Sequence, residues 1–193
     1  MGSDASGLQQ GNVAIVTGGS GGIGGKTAQR LARDGMAIVV AYAGRKAPAE
    51  EVVTAIVEAG GVATSFQGDV AEESDVAVLF DAAELSYGGV DVVVNAVGIM
   101  LVSPLVDLDL EVFDRMVRVN LRGTFVVDRE AARRVRPGGT IINFSSSVQK
   151  IARPSYTAYA ATKGAIDARS PAYAGSLRLT VPSRKGEWRE HYP

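Results

Sequence analysis

The chain is 193 residues long, which sets the expectation of one domain, and its 20 basic against 21 acidic side chains leave a formal charge of −1. That balance argues against a nucleic-acid or membrane-surface partner, both of which require a basic excess. The absence of cysteine excludes a disulfide framework, a thiolate nucleophile and a Cys-based zinc site, and the lone His191 gives no basis for a metal cluster or a Ser-His-Asp triad.

In chain order, residues 1–10 are polar, lack the basic-then-apolar order of a secretory leader, and read as a flexible tail. No apolar run approaches the ~18 residues of a membrane span, so the expectation is a cytoplasmic protein. From Val13 onward, short β-branched runs alternate with amphipathic stretches. The continuously apolar runs Val13–Val16, Ala37–Ala41, Val62–Phe66, Val90–Val94 and Thr140–Phe144 have the character of strands buried on both faces. Between them, helices are expected over Gly22–Arg33, Pro48–Ala59, Glu72–Tyr87 and one long helix from Leu110 to Val135, with Pro137-Gly138-Gly139 as the stop that follows it. This order predicts an α/β fold, a doubly wound parallel sheet with helices on both faces, whose ligands sit beyond the carboxyl ends of the strands.

Chemistry-bearing residues follow those strand ends. The first strand runs into Thr17-Gly18-Gly19-Ser20-Gly21-Gly22-Ile23-Gly24 and then a helix, which presents backbone N–H groups and a helix N-terminus to an anion such as a pyrophosphate. Two registers compete: Gly19, Gly21 and Gly24 fit GxGxxG, and Gly18, Gly22 and Gly24 fit TGxxxGxG. A P-loop reading of Gly25-Lys26-Thr27 fails, because the glycine it needs upstream is Ser20. Further on, Ser145, Ser146 and Ser147 close the last apolar strand, either as exposed hydroxyls at the ligand edge or as a helix cap. Tyr159 and Lys163 stand at i and i+4, which puts a phenol and an ammonium on one helix face. A cation so placed favours the phenolate form of its neighbour and suits it to proton transfer.

The combination resembles the short-chain dehydrogenases/reductases, through TGxxxGIG at Thr17–Gly24, a strand-end serine ahead of the tyrosine, and YxxxK at Tyr159–Lys163. The resemblance runs from about Gly11 to Asp167. It implies a Rossmann-like domain over residues 11–168 and hydride transfer between a nicotinamide and a carbonyl or secondary alcohol. Catalytic roles then fall on Asn120, Ser146, Tyr159 and Lys163: Tyr159 protonates the developing alkoxide, Ser146 holds its oxygen, Lys163 also binds the nicotinamide ribose, and Asn120 positions a water leading to solvent. The implied cofactor contacts are Gly18, Ser20, Gly22, Ile23, Gly24, Tyr42, Arg45, Asp69, Val70, Asn95 and Gly98, with Tyr159 and Lys163. Asp69-Val70 matches the position beside the adenine, and Asn95-Ala96-Val97-Gly98 matches NNAG without its second asparagine. At the end of the second strand, Tyr42 stands where NAD-users carry a carboxylate, and Arg45 and Lys46 follow, so NADP is favoured over NAD. No metal is implied, and a homodimer or homotetramer is expected. The 3-oxoacyl carrier-protein reductases offer the nearest analogy, with the substrate itself unspecified.

Past Lys163 the sequence departs from the family. Pro171 and Gly175 fall where a helix should continue, so that helix is expected to end early, and residues 169–193 read as an atypical, truncated tail in which only Leu177–Val181 alternates like a strand. The alternative function is therefore a catalytically impaired dinucleotide-binding protein or partner subunit.

Overall fold

The computed structural model describes residues 11–151 and 153–176. Five parallel strands, β1 (Val13–Thr17), β2 (Ala37–Tyr42), β3 (Val62–Gln67), β4 (Val90–Asn95) and β5 (Val135–Asn143), form one sheet in the order β3-β2-β1-β4-β5. Each of β1 to β4 runs one residue past its apolar run, because Thr17, Tyr42, Gln67 and Asn95 still find partners in the ladder.

Helices α1 (Gly22–Arg33) and α2 (Lys46–Glu58) cover one face of the sheet, and α3 (Glu73–Tyr87) and a later helix, α5 (Gly123–Arg134), cover the other. Alternation along the strands divides the core accordingly. Ala14, Val16, Ile38, Val40 and Tyr42 meet Ala28, Ala49 and Ile56, whereas Ile15, Val39 and Val93 meet Val76, Phe80 and Val127. β1, at the centre, is buried over its whole length. The chain winds outward from it through β2 and β3, then crosses back to β4, so the gap between the ends of β1 and β4 is the topological switch point.

The second half of the chain departs from expectation in three places. The single long helix is two, α4 (Leu110–Met116) and α5, joined by a wide π-type turn over Val117–Arg122. Such turns interrupt the helical ladder most often where function requires a side chain to be re-aimed. β5 begins five residues early, and Pro137-Gly138-Gly139 lies within it instead of ending a helix. Val90 pairs with Val135 and Val92 with Thr140, so a two-residue advance on β4 faces five on β5; Asp91 closes this bulge by accepting from Arg136 and from the Val13 N–H. Finally, α6 (Thr157–Ser176) continues through Pro171 instead of ending near Ala168. Pro171 removes one donor from the ladder without ending the helix. The tails at 1–10 and 177–193, with the Leu177–Val181 strand, lie outside the described residues.

Candidate active site

The glycines of the first turn are required by two different constraints. Gly18 and Gly22 adopt φ of +64° and +53°, the left-handed region that favours glycine. Gly24 is required by crowding, since a Cβ there would lie 2.3 Å from the Gly18 carbonyl oxygen. Gly19 is crowded too, its Cβ position lying 2.9 Å from the Val16 carbonyl oxygen, but Gly21 is extended and faces open space, so TGxxxGxG is the register in which every glycine is constrained. Gly18 also passes directly over β4: a Cβ on it would meet the Ala96 backbone at 3.0 Å. The first turn of α1 has neither a side-chain cap nor an acidic residue, which leaves its amides to an external anion. Ser20 is half-buried in this turn and Ile23 is 63% exposed.

At the end of β2, Tyr42 belongs to the core beneath α1 and α2 and is 5% exposed, while Arg45 is an exposed residue at the start of α2. After β3, the Asp69 carboxylate accepts from the Ala71 N–H (2.9 Å) and from Arg118 (2.8 Å). Partial burial pushes this carboxyl up, but the Ala71 N–H and Arg118 together outweigh it and hold Asp69 below the ordinary carboxylate range. Val70 is buried against Gly123.

Across the switch point runs a buried polar relay. The Thr17 hydroxyl donates to Asn95 (2.7 Å), the Asn95 amide to Asn143 (3.2 Å), and the Asn143 amide to the Asp128 carboxylate (3.1 and 3.2 Å). Every step donates in one direction, toward a group that can only accept when ionised. Thr17, Asn95 and Asn143 are the last residues of β1, β4 and β5, so the relay braces the three strand ends from which the site's loops depart. It supplies a brace at the sheet centre although Ala96 replaces the family's second asparagine.

Two of the catalytic candidates, Asn120 and Lys163, border Gly98. Asn120, fully buried in the π-type turn, grips Ile99 at both its N–H and its C=O (2.8 Å each) and donates to Thr162 (3.1 Å). Lys163, 7% exposed, donates to the Phe144 carbonyl at 2.7 Å and lies 6.0 Å from the centre of the half-buried Tyr159 ring. Burial pushes its ammonium below the ordinary lysine range. A Cβ on Gly98 would lie 3.5 Å from Asn120 Oδ1 and 3.6 Å from Lys163 Nζ, so glycine keeps open a space that both groups border. One of the three lysine N–H donors serves Phe144, and the other two suit the hydroxyls of a ribose placed there. Ser146 accepts from the Val148 N–H (3.3 Å) and caps the short turn Ser147–Gln149, which leaves its O–H as a donor; Ser145 donates to the Lys163 carbonyl (3.3 Å). The amides of α1, the open space over Gly98 and this desolvated ammonium fit a dinucleotide.

Sequence reasoning assigned no role to Arg118, Arg122, Asp128 and Asn143, and marked Thr17 only as the start of the glycine motif. A signal for Asp128 existed, since it shares the buried stripe of α5 with Thr124 and Ala131, where a carboxylate needs a partner. A cavity of about 510 Å³ lies at the opposite end of the sheet, lined by Val13, Met36, Val62, Leu85 and Tyr87 among others, and contains none of these groups. Among the described residues, no cluster of three or more His, Cys, Asp or Glu could hold a metal, and no helix is long and apolar enough to cross a membrane.

A model of the short chain dehydrogenase family matches residues 12–179. This chain belongs to that family. The match continues past Asp167, where the sequence had suggested that the resemblance fades. Among curated relatives, an uncharacterized oxidoreductase of Methylorubrum extorquens is 40% identical over 168 residues, covering 87% of this chain and 68% of the relative. The 3beta-hydroxysteroid dehydrogenase 1 of Eggerthella lenta is 40% identical over 160 residues, covering 81% and 61%. A crystal structure of a short chain dehydrogenase from Burkholderia cenocepacia in complex with NADP superposes with a TM-score of 0.83 at 34% identity, covering 89% of this chain and 70% of that one. The chain spans about two thirds of the length of the curated relatives it matches.

Proposed function

We propose that this chain catalyses NADP(H)-dependent interconversion of a carbonyl compound and its secondary alcohol. The observation that carries this reading is the buried ammonium of Lys163 beside the Tyr159 ring, at the carboxyl edge of the sheet and bordering the open space over Gly98. When bound, the nicotinamide exchanges a hydride with the carbonyl carbon.

In the reducing direction Tyr159 donates its phenolic proton to the carbonyl oxygen as the carbon gains the hydride, so oxygen and carbon each gain one hydrogen. Ser146 holds that oxygen through its O–H. Lys163 turns its remaining donors to the ribose and presents a cation to the departing proton's donor. Asn120, committed to Ile99 and Thr162, keeps the π-type turn against the lysine, where a water leading to solvent would sit. The α1 amides receive the pyrophosphate, and Gly18, Ser20, Gly22, Ile23 and Gly24 shape that turn. Asp69, Val70, Asn95 and Gly98 flank the rest of the dinucleotide. Arg45 is the exposed cation available to a 2′-phosphate, and the NADP in the Burkholderia structure supports the same choice. The substrate is a small-molecule carbonyl or alcohol, in line with a hydroxysteroid enzyme among the relatives. A cytoplasmic homodimer or homotetramer completes the proposal.

Tyr159→Phe tests it. Turnover of NADPH with a ketone panel should fall by about 10²–10⁴-fold while fluorescence titration shows cofactor binding preserved. Unchanged turnover in that variant refutes the mechanism, and binding without turnover in the parent favours the dinucleotide-binding alternative.

A further inference from the structure

The π-type turn Val117–Arg122 grips two regions at once. On one side, Arg118 bridges Asp69 (2.8 Å) and Glu72 (2.6 Å), Arg122 donates to the Ala71 carbonyl (3.0 Å), and Gly123, the next residue, lies so close to Val70 that a Cβ would reach its side chain at 2.7 Å. Each residue of the 69–72 segment is thus held by the turn or its immediate continuation. On the other side, Asn120, two residues from either arginine, clamps Ile99 and reaches Thr162, the neighbour of Lys163. Arg118 is partly exposed, whereas Asn120 is fully buried. One six-residue unit therefore joins the loop after β3, the loop after β4 and the helix carrying Tyr159 and Lys163.

We propose that Arg118 is a positioning residue that couples occupancy of the Asp69 end of the cofactor site to the placement of Asn120 and Lys163. The inference rests on the NADP(H) reading above, which sets the adenosine half of the cofactor beside Asp69 and the nicotinamide half beside Lys163. A ligand that presses on the 69–72 segment moves against a guanidinium anchored in the catalytic turn, so energy gained at the remote end is delivered where the chemistry occurs. A planar fork that holds two carboxylates in fixed geometry suits this task, and a lysine, a point charge on a flexible stem, would not hold the pair in that geometry.

The test uses adenosine 2′,5′-bisphosphate, the adenosine half of NADP, with hydrogen exchange of the Ile99 amide read by NMR. In the parent, saturation with the bisphosphate should slow Ile99 exchange about tenfold, and it should raise turnover with reduced nicotinamide mononucleotide by a similar factor. Arg118→Ala and Arg118→Lys should both fold and bind the bisphosphate, yet shift each readout less than about twofold. Arg115→Ala, an exposed arginine on α4, should behave as the parent. The proposal is overturned if Arg118→Ala keeps the full response, if Ile99 in the parent ignores the bound bisphosphate, or if Arg118→Lys keeps what Arg118→Ala loses, which would make charge alone responsible. A parent that binds neither the bisphosphate nor NADPH refutes the cofactor reading itself, and the coupling falls with it.

Discussion

The two wings of the sheet on either side of β1 share an apolar core, and only one of them adds a buried polar network to it. The β2–β3 wing, under α1 and α2, is apolar packing: Ile38, Val40, Ala49 and Ile56 exclude water, and its glycine turn is shaped by backbone sterics. The β4–β5 wing holds Asp128, Asn143, Asn120 and Lys163 in or near its interior, each tied by hydrogen bonds to a strand end or loop. A cofactor's phosphates need a shaped surface, which packing provides; proton transfer needs donors held at fixed positions, which only paired polar groups provide. Stability and chemistry should therefore respond separately to substitutions in the two wings.

The largest loss of stability is expected from Ile56→Ala, about 2–5 kcal/mol in urea unfolding, with turnover per folded molecule retained. Asp128→Ala should cost less, about 1–3 kcal/mol for the Asn143 N–H deprived of that acceptor, yet slow turnover by up to about a hundredfold because three strand ends lose their brace. Equal turnover in the two variants would erase the distinction between the wings. Within the glycine turn, Gly24→Ala should weaken cofactor binding and lower stability by about 1–3 kcal/mol through its clash with Gly18. Gly22→Ala, at φ +53°, should cost about 1–2 kcal/mol and Gly21→Ala stay within about 0.5 kcal/mol, and a reversal of that order would restore the other register.

A smaller effect concerns pH. Burial lowers the Lys163 pKa, so the folded chain binds this proton more weakly than the unfolded one. The penalty is fully present below the lowered value and fades as pH rises through it toward the ordinary 10.5, where the parent gains stability relative to Lys163→Met. Urea unfolding of both proteins from neutral to alkaline pH measures this; a constant difference means the burial is not felt.

Much of this arrangement could be read from residue order. β-branched and apolar runs identified all five strands, though β3 and β5 carry Thr, Ser and Asn and are only partly buried at the sheet edges. The Gly18–Gly24 turn and the Tyr159–Lys163 spacing marked two parts of the candidate site through local geometry alone. What stayed hidden depends on contacts between distant residues. Nothing near Asn120 announces a wider turn, since its clamp on Ile99 spans 21 residues. Pro137-Gly138-Gly139 has the look of a helix stop, and only pairing with β4 makes it part of a strand. Tyr42, placed by its strand-end position beside the cofactor, has a ring that tertiary packing draws into the core. Pro171 signals a helix break, yet α6 runs through it.

The hydrogen bond from Thr17 to Asn95 joins residues 78 apart, and it ties down the residue from which the glycine turn departs. During synthesis β1, α1 and β2 can associate through nearby contacts, but this tie must wait until β4 has emerged and docked beside β1. The glycine turn thus keeps one of its ties open until β4 has docked beside β1.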